Sequence, residues 1–391
     1  DRGGILADKT VVASAAGSFH SMALCADGSV AAWGSNWDGR LGDGTSTHRS
    51  VPVWVNQSGV LAGRTVVAIA AGGSHSLALC ADGTLAAWGN NSSGQLGDRT
   101  TDTRGNPVLV DQSGVLSDKT VTGIATGNSY SLALCADGTV VTWGDNDDGQ
   151  LGDGTFTDSE VPVPVDASGV LAGKSVTSVA ASYENVLVLC SDGTFAGWGG
   201  NDHGQLGTGG RQSSPVLISR SGALAGKTIA AIAAARGHVL ALSSEGSLAS
   251  WGHNYNGQLG DGTTSDRSDP VLVDRSGALA GKRISTIVAN GSFNLLIGAS
   301  PPAPVLATLA ADAISDTTAT LHGRGSANGN TSTVSFEYGT TTDYGTVVPA
   351  VPGQLSGAMT AVVRATLSGL ASGTPYHLPV GGCRTGWVGP W

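Results

Sequence analysis

The chain has 391 residues, only 13% of them charged, with 60 glycines and a formal net charge of −10. That acid surplus argues against nucleic acid as a partner, because it repels a phosphate backbone. No apolar run is long enough to cross a bilayer as a helix, so membrane insertion is not expected, and the length allows two or three domains or one repeat array. The opening DRGG carries no signal peptide and no initiator Met, and reads as a processed or trimmed start.

From residue 11 the chain repeats itself. Trp-Gly recurs at Trp33, Trp88, Trp143, Trp198 and Trp251, at spacings of 55, 55, 55 and 53 residues. Each unit divides into four strand-like pieces. The first, VVAIAAG (66–72), is β-branched and apolar. The second, HSLALC (75–80), alternates His75, Leu77 and Leu79 with Ser76, Ala78 and Cys80, a period of two. An Ala-Asp-Gly turn suited to a hairpin leads to the third, TLAAWG (84–89). The fourth is PVLV (107–110), and a linker such as QSGVLAGRT (57–65) enters the next unit. A four-stranded sheet of this size cannot bury both faces alone. One face is large and the other is built from Ala, Ser and Cys, so neighbouring sheets can stack closely around an axis. The expectation is an all-β chain whose main part is a β-propeller of four-stranded blades.

These residues carry a resemblance. The pattern G-x-x-H-S-x-A-L-x-x-D-G-x-V-x-x-W-G-x-N-x-x-G-Q-L-G resembles the repeat of the regulator of chromosome condensation family, over roughly residues 1–300. The resemblance implies a propeller, usually of seven blades, and partner binding as its common use. The match weakens at Tyr183-Glu184-Asn185 and Arg236-Gly237-His238. A wedge insertion for nucleotide exchange, basic chromatin-binding segments, and the Gly-Trp-Arg-His-Thr motif of the plant ultraviolet photoreceptors are not found.

First and second strands occur six times, ending with ISTIVANGSFNLLIG (284–298), but third and fourth strands only five times. The intact ring is therefore expected to hold six or seven blades, with a half blade in this chain. A longer precursor, the C-terminal region, or another chain adding strands to the open edge would complete it. Cys25, Cys80, Cys135 and Cys190 occupy one repeat position. Sheets pack ~10 Å apart whereas a disulfide needs Cα atoms within ~7 Å, so small buried hydrophobes are expected. Lys9, Arg64, Lys119, Lys174, Lys227 and Lys282 fill another slot and read as a solvated ring.

The propeller is expected over residues 1–299, a Pro-rich linker over 300–304, and a different β-rich segment over 305–380. TATLHGRG (318–325), STVSFEYGTT (332–341) and TAVVRATLSGL (360–370) resemble a fibronectin type III-like module of secreted bacterial proteins, which implies an Ig-like sandwich. The module breaks off, and 381–391, with Cys383, Trp387 and Trp391, reads as an irregular tail.

There is no G-x-S-x-G elbow, H-E-x-x-H or phosphate-binding glycine loop, and neither a cofactor nor a metal is expected. DNDDGQLGD (145–153) departs from a calcium loop because Gly149 takes the fifth place and the bidentate Glu is missing. Asn36, Asn91, Asn146, Asn201 and Asn254 are read as turn formers. His20, His75 and His238 are taken to share a slot with Tyr130, Asn185 and Asn294, making a hydrogen bond at a strand start. His75 and Ser76 point to opposite faces and form no dyad.

The repeats stop agreeing at two loops, which strands running up and down place at one end. The first-to-second loops carry Phe19, Tyr183, Glu184, Arg236 and Phe293. The third-to-fourth loops carry Trp37, Asp38, Asp147, Asp148, Asp202, His203, Tyr255 and Asn256. Variable aromatic and acidic residues on a constant frame are the expected binding residues. The leading expectation is an extracellular or cell-surface bacterial propeller that binds another protein. One alternative is a fibre or sheath subunit completed by strand addition from its own copies. The other is a hydrolase with a site at the loop-rich end.

Overall fold

The structure is a computed structural model and describes residues 4–299, 305–326, 331–356, 360–377 and 383–387; the linker at 300–304 lies outside them. The chain forms two compact units, Asp1–Asp274 with Thr286–Ile297, and Arg275–Ser285 with Gly298–Trp391.

In the first unit, blade one contains Val11–Ala16 (β1), His20–Cys25 (β2), Val30–Gly34 (β3) and Arg49–Trp54 (β4). Blade two contains Val66–Ala71 (β5), His75–Cys80 (β6), Leu85–Gly89 (β7) and Arg104–Leu109 (β8). Blade three contains Val121–Thr126 (β9), Tyr130–Cys135 (β10), Val140–Gly144 (β11) and Ser159–Pro164 (β12). Blade four contains Val176–Ala181 (β13), Asn185–Cys190 (β14), Phe195–Gly199 (β15) and Gln212–Leu217 (β16). Blade five contains Ile229–Ala235 (β17), His238–Ser243 (β18), Leu248–Gly252 (β19) and Arg267–Leu272 (β20). Each is an antiparallel sheet in chain order, and the sixth unit is a hairpin of Arg283–Asn290 (β21) and Phe293–Ala299 (β22).

Local chemistry sets these turns. In the hairpin after β6, Gly83 has φ of +85° and Asp82 accepts from the Thr84 amide at 3.0 Å, the side-chain turn that Asp favours. The Lys/Arg slot is exposed at Lys9 and Arg64 and half-buried at Lys119, Lys174, Lys227 and Lys282. Lys9, Arg64, Lys119 and Lys174 pair with Asp27, Asp82, Asp137 and Asp192 of the same hairpins, contacts worth little at a solvated surface.

The large face of each blade meets the small face of the next. Leu77 and Leu79 of blade two pack with Ala133, Cys135 and Trp143 of blade three. The same interlock joins Leu132 to Val188, Cys190 and Trp198, and Leu187 to Ala241 and Trp251. The four repeat cysteines are buried and free. Where no further blade follows among the described residues, the cover is missing. Met22, Leu77, Leu132, Leu187 and Leu240 are at most 1% exposed, but their sixth-unit counterpart Leu295 is 56% exposed and Ile297 53%. Trp33, on blade one, is half-buried, whereas the other four repeat tryptophans are fully buried.

The second unit holds Val305–Asp312 (β23), Thr318–Ser326 (β24), Thr331–Tyr338 (β25), Thr346–Ser356 (β26), Ala361–Ser368 (β27) and Cys383–Trp387 (β28). Their order is β23-β24-β27-β26-β25-β28, and they pair only with one another among the described residues. β26 meets β27 at the single pair Val351–Arg364, which divides the strands into two three-stranded ladders. Leu321, Val363 and Leu367 from one ladder and Val334, Phe336 and Leu355 from the other share one core. The expected irregular tail is corrected here: β28 pairs with β25 from Phe336–Cys383 to Ser332–Trp387. Edge pairing uses backbone groups, so it needs no side-chain alternation. Trp391 lies outside the described residues.

Candidate functional site

The two variable loop sets share one end, and a backbone hydrogen bond ties them in every complete blade. The residue after Trp-Gly donates its N–H to the carbonyl of the first-to-second loop: Ser35 to Phe19 (2.8 Å), Asn90 to Ser74 (2.9 Å), Asp145 to Ser129 (3.0 Å), Gly200 to Glu184 (2.8 Å) and His253 to Gly237 (2.7 Å). Glycine is required just before this bond. Gly144 has φ of +108°, and a Cβ there would lie 2.6 Å from the Ser129 carbonyl.

The repeated asparagines lock the third-to-fourth loops. Asn91 Oδ1 accepts from the Leu96 amide at 2.9 Å, and its Nδ2 donates to Asp98 at 3.0 Å and the Thr100 carbonyl at 2.8 Å. Equivalent bonds form around Asn36, Asn146 and Asn254, and Asn201 likewise accepts from the Leu206 amide. Each loop then presents a carbonyl to the next blade. The indole N–H of Trp88, Trp143, Trp198 and Trp251 donates to Arg40, Gln95, Gln150 and Gln205 respectively, at 2.9–3.0 Å.

The histidines are part of this frame. His20 Nε2 lies 2.8 Å from Ser76 Oγ, and His75 Nε2 lies 2.9 Å from Ser131 Oγ. Those hydroxyls donate onward to the Arg40 and Gln95 carbonyls at 2.9 Å, so the imidazole is the donor to each serine. These His–Ser contacts run across blades, between residues 56 positions apart. Burial pushes the pKa down to about 4 for His20 and about 3 for His75, so both rings are neutral. The slot assignment needs one correction. Asn294 takes the serine position, receiving His238 at 2.8 Å and donating to the Gln258 carbonyl at 2.6 Å. Phe293 fills the histidine slot.

Around the propeller axis, the first-to-second loops and first-strand ends of all six units line one opening of about 590 Å³. The expected binding residues Phe19, Tyr183, Arg236 and Phe293 all line it. Phe19 is 68% and Phe293 64% exposed, while the Arg236 guanidinium lies over the Tyr183 ring at 4.7 Å, a cation–π contact. Glu184 stands nearby, its pKa raised by burial and by the charges of Asp148 and Asp202. Burial likewise raises Asp148, which pairs with Arg211 at 2.7 Å. Arg211 also donates to the Asp147 carbonyl at 3.1 Å.

The other expected residues stand on the third-to-fourth loops of the same end. Trp37 is exposed and meets His48 edge-on at 4.8 Å. Asp38 is engaged by Arg40 of its own loop at 2.5 Å. Tyr255 is exposed, and the Asn256 amide donates to Gln258 at 2.9 Å. His203 faces Asp266 at 3.2 Å and stacks on His253 at 4.1 Å. Arg211, His253 and Asp266 were missed by the sequence reading, and Asn128 of a variable first-to-second loop also lines the opening. The spacing of 53 after Trp198 was the available signal for a changed loop around Arg211.

Comparison with known proteins agrees with this architecture. A family model described as RCC1-like domain matches residues 3–299. The E3 ubiquitin-protein ligase HERC2 of Homo sapiens is 34% identical over 294 residues, 75% of this chain but only 6% of HERC2. The ultraviolet-B receptor UVR8 of Arabidopsis thaliana is 31% identical over 280 residues, 71% of this chain and 61% of UVR8. The chain thus spans less than two thirds of these relatives. Among solved structures, Prp20p from Saccharomyces cerevisiae, described with its binding properties to Gsp1p and histones, aligns with a TM-score of 0.62 at 23% identity, covering 75% of this chain and 70% of Prp20p.

Proposed function

Because the chain belongs to the RCC1-like domain family, we propose that its propeller is a platform for another protein, docked across the axial opening. The observation that carries this reading is the gathering of Phe19, Tyr183, Arg236 and Phe293 around one opening. Rigid blades present them at little entropic cost, and exposed aromatics make good anchors. Burial is the first cause of the raised pKa of Glu184, and the neighbouring charges of Asp148 and Asp202 add to it, so three carboxylates stand together on one side. A basic segment from the partner complements them. Binding to Gsp1p and histones, described for Prp20p, is of the same general kind.

We place the protein outside a bacterial cell as part of the same proposal, with the second unit as a fibronectin type III-like spacer. In support, two three-stranded ladders share one core, and the Tyr376 hydroxyl accepts from the Ala371 amide at 3.0 Å, the contact of a tyrosine corner.

A fluorescent arginine-rich peptide tests the charge of the opening by anisotropy. Tyr183→Ala and Glu184→Gln are expected to weaken its binding at least about tenfold, while Asp82→Asn in a second-to-third hairpin leaves it unchanged. Equal binding by all variants refutes the reading.

The exposed Leu295 and Ile297 favour a second reading, self-assembly by strand addition at the open edge. Light scattering at two concentrations checks it. Species that grow with concentration and vanish with Leu295→Lys support assembly; a 38.8 kDa monomer at both concentrations excludes it.

A further inference from the structure

We propose that His203, His253 and Asp266 form a Zn²⁺ site at the junction of blades four and five. Blades hold equivalent repeat positions apart. These three are not equivalent. His203 lies in the third-to-fourth loop of blade four, His253 follows Trp251-Gly252 in blade five, and Asp266 precedes β20. One donor atom from each lies within 4.8 Å of the other two. His203 Nδ1 and Asp266 Oδ2 stand 3.2 Å apart, close to the separation of two ligands on a zinc with bonds of about 2.0–2.2 Å. The rings stack 4.1 Å apart at 34°.

Asp266 and His253 are held by further contacts of their side chains, and His203 by its backbone. Asp266 Oδ1 accepts from the Asn254 amide at 2.7 Å, leaving Oδ2 toward His203. Gln258 Nε2 donates to His253 at 2.9 Å, and the His203 amide donates to Gln205 at 3.0 Å. Such outer contacts orient metal ligands. The room for two rings comes from Gly237, where a Cβ would stand 2.8 Å from His203 Cδ2 and 3.2 Å from the His253 Cβ. The same loop position carries Phe19, Ser74, Ser129 and Glu184 in the other complete blades.

The turn role of the carboxylate is general, since Asp158 receives the Asn146 amide in blade three at 2.8 Å. The two imidazoles are the addition. Two nitrogens and one carboxylate oxygen suit zinc, with water in the fourth place. The bound ion would staple blades four and five beside the axial opening.

The full chain, stripped with chelator, is titrated with Co²⁺ and followed by its visible absorption. One equivalent with an intense four-coordinate band, displaced by Zn²⁺, is expected. His253→Ala and Asp266→Asn should weaken binding at least about tenfold, and His48→Ala should not. Asp266→Asn keeps an oxygen for the Asn254 amide, so folding is preserved if His253→Ala fails to fold. Absence of the band in the parent chain, or an equal band in Asp266→Asn, overturns the site.

Discussion

Trp143→Ala is expected to lower stability by about 3–5 kcal/mol, the range for deleting a fully buried large aromatic. Trp143 has no exposed surface and fills the space between blades two and three, against Leu77 and Leu79. Its indole donates to the Gln95 carbonyl at 3.0 Å, but Ser131 donates to the same carbonyl at 2.9 Å. The carbonyl therefore keeps a partner, and most of the loss is packing. Trp143→Phe, which retains much of the ring volume, should accordingly cost less than Trp143→Ala. Trp33→Ala should cost under half as much as Trp143→Ala, because Trp33 is half-buried on the uncovered face of blade one. Urea midpoints for the three variants provide the check. Equal losses at Trp33 and Trp143 would show that inter-blade packing is not what the tryptophans supply. In a linear array each blade rests on its neighbours, so a separate transition for one side of the array in Trp143→Ala would locate the weakened junction directly.

The blades were legible because the chain states their strand pattern five or six times. HSLALC coincides with β6, and the large and small faces inferred from its alternation interlock in the core. The turn role of the asparagines was also legible, since a residue constant in a variable loop serves the loop. What could not be read was anything made between blades. The His75–Ser131 and Trp143–Gln95 contacts join residues 56 and 48 positions apart, and no local period encodes which neighbour a side chain meets. Asn294 was misaligned by one position because the sixth unit lacks the His-Ser pair that anchors the register. The second unit was harder still. β23, β26 and β28 carry no repeated signal, and β28 exists through backbone pairing to β25. Of the binding residues, the sequence could mark where variation concentrates. It could not say that Phe19, Tyr183, Arg236 and Phe293 would reach the axis while Trp37 and Tyr255 stay on the third-to-fourth loops.

The inter-blade histidines make stability depend on pH between 6.5 and 5. His20 and His75 are neutral in the folded chain, with pKa values held down to about 4 and about 3, chiefly by burial; the charge of Arg40 also acts on both, and His20 on His75. Unfolded, each returns to about 6.5. Above that value neither state binds the proton. Below it the unfolded chain binds one at each ring and the folded chain does not, so stability falls as the pH falls. The loss per ring is complete only near its folded pKa, and reaches about 2 kcal/mol at pH 5. Carboxylates do not mimic this trend. Those with lowered pKa, such as Asp137 at about 2, titrate in stronger acid. Those with raised pKa, Asp145, Asp148 and Glu184, favour the folded state on protonation and so oppose it. Urea midpoints at pH 7, 6 and 5 should therefore decline, and His75→Gln should make the slope shallower whatever it does to the midpoint at pH 7, leaving the shares of His20 and of His238, whose pKa burial also lowers. A slope unchanged in His75→Gln would mean that the ring takes up its proton without leaving the folded state, and that the His–Ser belt is open to water.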